Sequence, residues 1–218
     1  MSVIQAIRIF KLKRDHGNII EALETLARIN GNSDKLEEAK ECYDDCILQK
    51  KKVYGEKDLS VGKTLHDLGC LLKKMDDRAG ALEAFKSSLM IRKMKLGLTN
   101  SETVTTILKI GEVYFDNQEQ KAALKCFEQV LSLLLQISDK NNVDLAVCNK
   151  NIGTIHCREG KYKEAIPFLK DAIKSFANVE SVDTKQVSDT FYNIGHALCM
   201  TDNQKEANDY LTKGESGH

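Results

Sequence analysis

Four glycines set the frame for this chain: Gly69, Gly111, Gly153 and Gly195 stand in "LHDLG", "ILKIG", "NKNIG" and "FYNIG", each 42 residues from the next. Twelve residues after each comes an alanine, Ala81, Ala123, Ala165 or Ala207, and four further on a large apolar residue, Phe85, Phe127, Leu169 or Leu211. One step of 42 backwards lands on Ala27, Ala39 and Tyr43 at the same offsets, so a fifth unit is present with alanine in place of glycine. A period of this length, held at several positions at once, is the mark of a repeat array.

Each period reads as two helices. In "SETVTTILKIGEVYFDN" the residues Val104, Ile107, Leu108, Ile110, Gly111 and Tyr114 recur at helical spacing, and "EQKAALKCFEQVLSLLLQI" continues the pattern through Ala123, Phe127, Val130, Leu131 and Leu134. No stretch alternates with period two over a useful length, so no sheet is expected. Short polar turns such as "FDNQEQ" and "CREGKY" suit antiparallel pairs, and longer polar links such as "YGEKDLS" and "LGLTNSE" separate successive pairs. Glycine inside a helix costs about 0.8–1 kcal/mol against alanine. Four at one phase therefore imply a close approach of two helices, with the aromatic or leucine filling the space beside them. A single pair cannot bury its own apolar face, so the units are expected to stack.

The residues "IGEVY", Ala123 and Phe127 match the signature of the tetratricopeptide repeat, and the longer unit resembles the variant in kinesin light chains and nephrocystin-like proteins. "GKYKEAIPFLKDAI", with Pro167, is similar to the light-chain unit. The resemblance implies an all-α fold, a right-handed superhelical solenoid of antiparallel helix pairs. Residues 1–17 are expected to form a helix like the second helix of a preceding unit, 18–213 five units in one domain, and 214–218 a tail.

Composition argues against several classes of function. The 32 basic and 32 acidic residues cancel, so no global field draws nucleic acid or an anionic membrane, and 42% hydrophobic residues suffice for a core. No apolar run is long enough for a membrane span, and the opening "MSVIQAIRIFKLKRDHGN" lacks a secretory pattern. A cytoplasmic location follows, with the seven cysteines read as reduced and mostly buried. Cys42 and Cys46 are four apart on a helix, as are His66 and Cys70, but neither pair has a second pair at zinc-site spacing. No phosphate loop or nucleophile turn is present. The expectation is no catalysis, no cofactor and no metal. Lys50, Lys51 and Lys52 read as a solvated helix face.

In the family, the first helix of each unit lines a concave groove, and the resemblance assigns inward positions six, three and two before the glycine and one and four after it. Of these and their neighbours, Asn151, Asn193, Lys150, Lys109, Arg158, Leu108, Phe115 and Tyr192 are the expected peptide-binding residues. Family members use an asparagine two before the glycine to hydrogen-bond an extended peptide, since an amide both donates and accepts. The alternative for Asn151 and Asn193 is that they are simply exposed polar residues. The expected partner is a protein or peptide with acidic and apolar residues. The Lys and Asn set of a carboxylate clamp is incomplete in every register, which disfavours chaperone C-terminal tails. Two further readings are an array packed on its own flanking regions and a homo-oligomeric piece joined by convex faces or open ends.

Overall fold

The structure is a computed structural model that describes residues 16–137, 143–178 and 183–216. The expected leading helix at 1–17 lies almost wholly outside the described residues. Among those described, ten helices follow in order: α1 (His16–Asn32), α2 (Leu36–Tyr54), α3 (Leu59–Lys74), α4 (Arg78–Leu96), α5 (Ser101–Asp116), α6 (Gln120–Ile137), α7 (Val143–Arg158), α8 (Tyr162–Phe176), α9 (Thr184–Cys199) and α10 (Gln204–Ser216). They fall into two compact units, one ending at Val113 within α5 and the other beginning at Tyr114.

The turn inside each pair is the same device five times over. Asp34, Asp76, Gln118, Gly160 and Asp202, one per period, all have positive φ, between 56° and 74°. Around them the amides of Lys35, Asp77, Glu119, Lys161 and Asn203 donate to the carbonyls of Asn30, Leu72, Tyr114, His156 and Leu198 at 2.8–3.0 Å. This is the six-to-one bond that closes a helix with a left-handed residue. Glycine holds the position only at Gly160; elsewhere short polar side chains and one glutamine accept it.

In the first unit, α1 and α2 meet through Ile19, Ile20, Leu23 and Cys46, with Leu26 and Cys42 alongside. In the next pair the repeat glycine works as its spacing implies. A Cβ built on Gly69 would stand 2.7 Å from the ring of Phe85, which is fully buried. The second unit repeats the arrangement with leucine for the ring, and Ala165, Leu169, Ile194, Leu198 and Ala207 form one core cluster. Helix α8 runs through Pro167, at the cost of the intrahelical bond that its missing N–H would donate.

Two sequence expectations are corrected here. Lys50 is not on a solvated face: it is 4% exposed, and its Nζ donates to Glu24 Oε1 at 2.5 Å, Thr64 Oγ1 at 2.8 Å and the Ser60 carbonyl at 3.3 Å. One period on, Arg92 is equally buried and donates to the Glu102 carbonyl and Thr106 Oγ1, both at 2.8 Å. Each cation thus ties the end of one pair to the first turn of the next. A charge this deep needs such partners, and a run of three lysines does not reveal them. The thiols are also less uniform than expected: Cys46 and Cys148 are buried, Cys70 is exposed and the rest are half-buried.

Candidate functional site

A site lies in the second unit, where α7 and α9 run side by side. They line a cavity of about 540 Å³ with Lys150, Asn151, Thr154, Cys157 and Arg158 from α7 and Asp189, Tyr192, Asn193 and His196 from α9; Phe115, at the end of α5, completes it. These are the phases just before and just after the repeat glycines. A helix turns 100° per residue, so residues three and two before a reference and one after it share a face. Two neighbouring helices with the same phase then present a continuous polar strip.

Six of the eight expected residues are therefore gathered in one place: Phe115, Lys150, Asn151, Arg158, Tyr192 and Asn193. The other two belong to the first unit and do not line this cavity. Leu108 is 1% exposed, so its side chain is core and not an anchor offered to a ligand; an apolar residue that can leave water does so. The Lys109 ammonium is 3.0 Å from the Glu112 carboxylate, which also takes Lys73 at 2.7 Å. Burial pushes Glu112 up, but Lys109 and Lys73 outweigh it and hold the carboxyl below its usual value.

The two asparagines differ. Asn193 donates from Nδ2 to Thr154 Oγ1 at 3.2 Å, and the Thr154 hydroxyl in turn donates to the Lys150 carbonyl at 2.7 Å. That leaves the Asn193 oxygen as an acceptor facing the cavity. Asn151 is 5% exposed, contrary to the reading of a solvent-exposed amide, yet among the described residues its side chain takes no hydrogen-bond partner. A buried amide without partners is costly, and the exposed face of this one is the cavity wall.

Around the amides the surface is mildly basic and aromatic. Arg158 lies over the Phe115 ring at 4.2 Å from its centroid, a geometry that holds the guanidinium in place. Lys150 reaches Gln186 at 3.4 Å, and Asp189 is the one carboxylate in the lining. Tyr192, 63% exposed, stacks on His196, which also meets Tyr162 edge-on. Cys157 adds no reactivity, because burial pushes its thiol up. No three His, Cys, Asp or Glu side chains among the described residues converge as a metal site requires.

Known proteins agree with this architecture. The BtubC (BKLC) structure from P. vanneervenii superposes with a TM-score of 0.81 at 15% identity, covering 99% of this chain and 86% of that one. A kinesin light chain-like protein of Podosopora anserina with nearly identical TPR-like repeats gives 0.72 at 14% identity over 91% and 93%. In sequence, the clustered mitochondria protein homolog of Brugia malayi is 29% identical over 123 residues, 56% of this chain and 8% of the relative. That of Neosartorya fischeri is 22% identical over 190 residues, 86% of this chain and 14% of the relative. The chain thus spans a small fraction of these relatives' length. The family model for the tetratricopeptide repeat matches residues 18–94 and 102–178, and the chain belongs to that family.

Proposed function

We propose that the second unit receives an extended segment of a partner protein, acting as a non-enzymatic interaction scaffold in the cytoplasm. The fold is typical of protein–protein interaction scaffolds. The observation that carries the finer reading is Asn151: a nearly buried amide, with no partner of its own, on the wall of a cavity bordered by a second amide. A peptide backbone offers alternating N–H and C=O groups, and amides satisfy both. Lys150 and Arg158 favour acidic side chains, while Phe115 and Tyr192 offer apolar contact. Seven free thiols are consistent with a reducing compartment, and no helix among the described residues is long and apolar enough to cross a membrane.

The test is a titration. A displayed library of random nonapeptides is selected on the full chain, and the best binder is titrated against wild type and the double variant Asn151→Ala with Asn193→Ala. Neutral hydrogen bonds contribute about 0.5–1.5 kcal/mol each, so the double change weakens binding roughly tenfold or more. The melting temperature falls only slightly, because Asn151 makes no hydrogen bond among the described residues and Asn193 gives up one neutral bond to Thr154, about 0.5–1.5 kcal/mol. Selected peptides should be acidic, and salt should weaken them modestly. Equal affinity in the folded double variant would refute the role of the two amides.

A further inference from the structure

Position 149 is apolar core elsewhere in the array: its counterparts one period away, Ile107 and Phe191, are 3% and 7% exposed. The counterparts of position 175 are Ile91 and Leu133, 3% and 8% exposed, in the second and third pairs, and Gln49 in the first. In the fourth pair both large side chains are replaced, by Asn149 and Ser175, at 8% and 9% exposed. Beside them lies a cavity of about 360 Å³ between α6, α7 and α8, walled by Leu131, Leu135 and Leu145.

The two polar residues in this cavity are not equivalent. The Ser175 hydroxyl donates within its own helix to the Asp171 carbonyl at 2.9 Å. Asn149, more than nine-tenths buried, has no hydrogen-bond partner among the described residues. At the mouth, Leu135 stands 77% exposed, a large apolar side chain left in water. Asp171 and Lys174 on the rim neutralise each other at 3.0 Å, so the site has no charge to match. Three leucines around one amide, with a neutral rim, call for a side chain that is apolar along its body and uncharged but polar at its tip.

We propose that this cavity is a second binding site, distinct from the groove between α7 and α9, and that it takes a tyrosine side chain from a partner polypeptide. The ring packs against Leu131, Leu135 and Leu145, and the hydroxyl pairs with the Asn149 amide. Phenylalanine would fill the same space and leave the amide unpaired. A charged side chain would find no counter-ion.

The probe is p-cresol, the tyrosine side chain as a free molecule, with toluene as the phenylalanine equivalent. Each is titrated into the full chain while leucine methyl and asparagine side-chain amide resonances are followed by NMR. Saturable shifts are expected at Leu131, Leu135, Leu145 and the Asn149 amide, with p-cresol at least threefold tighter than toluene. Asn149→Ala keeps the cavity and brings p-cresol down to the toluene level. Asn149→Ile with Ser175→Leu restores the apolar pair of the second and third repeats, abolishes the shifts and raises the melting temperature. The groove variant Asn151→Ala with Asn193→Ala leaves p-cresol binding unchanged, which separates this site from the groove. Equal affinity for the two probes, p-cresol binding that survives the cavity-filling pair, or its loss in the groove variant would overturn the proposal.

Discussion

Replacing Gly153 with alanine tests whether the repeat glycine exists for close packing. A Cβ there would stand 2.5 Å from Leu169 Cγ, 2.8 Å from its Cδ2 and 3.2 Å from the Ala165 carbonyl oxygen. Carbon atoms in contact sit about 3.5–4.0 Å apart, so the overlap falls on the branch point of a side chain with no exposure at all. Overpacking of this kind costs about 1–3 kcal/mol, against a gain of about 0.8–1 kcal/mol from replacing a helical glycine. The net result is a loss of up to about 2 kcal/mol, or up to roughly 8 °C in melting temperature. Gly31→Ala is the control: its Cβ would meet Leu71 Cδ1 at 3.7 Å and Ala39 Cβ at 4.0 Å, ordinary contacts, so it should be neutral or slightly stabilising. Urea unfolding measures both. The mechanism is isolated by Leu169→Ala, which alone costs about 2–5 kcal/mol. In that background Gly153→Ala loses its clash and becomes favourable, giving a coupling of at least about 1 kcal/mol. The packing account is refuted if Gly153→Ala stabilises the wild type, or if the coupling is near zero.

Two further outcomes concern the polar interior of the first unit. Burial first, then Arg92 and Lys109, pushes His66 down to about 4. Because the unfolded histidine titrates near 6.5, the unfolded state binds the extra proton between these values. The stabilisation is full above pH 6.5 and is lost as pH falls to 4, by up to about 3 kcal/mol. The urea midpoint should therefore drop across that window in wild type and much less in His66→Gln; parallel curves would contradict it. At position 92, Arg92→Leu should stay within about 1.5 kcal/mol of wild type, since Leu134 occupies the same phase one period on and Arg92 Nε lacks a partner. Arg92→Ala, which leaves both a hole and unpaired acceptors, should cost about 3 kcal/mol or more in the same assay, and equal losses for the two variants would refute the comparison.

The fold was legible because the features that fix it are periodic. Gly69, Gly153 and Gly195 each sit under the side chain sixteen residues on, Phe85, Leu169 or Leu211, as their spacing requires. The same periodicity places the residues of α7 and α9 at the expected phases around one cavity. What the sequence withheld is how deep each one lies. Leu108 and Lys150 share a phase, but the leucine is buried in the core while the lysine lines a cavity. Phase fixes direction, and the side chain's own chemistry decides whether it stays in water. The proposed site at Asn149 had a signal that a search for ligand motifs passes over: a polar residue standing where other periods carry leucine, isoleucine or phenylalanine.

Compared in this way, the two units treat their buried polar groups differently. In the first, Lys50 is matched by Glu24 and Thr64, Arg92 by Glu102 and Thr106, and Glu112 by Lys73 and Lys109. These pairings stabilise the junctions between pairs, although Arg92 Nε and Thr103 Oγ1 stay buried without a partner. In the second unit the same cation phase carries Leu134 and Phe176, so its junctions are apolar. Its amides Asn149 and Asn151, two residues apart on α7, line two different cavities and take no hydrogen-bond partner among the described residues. An unsatisfied buried amide weakens the folded state until something pairs with it. On the proposed readings a peptide backbone supplies that pairing at Asn151 and a tyrosine hydroxyl supplies it at Asn149, so both proposed sites fall in the second unit.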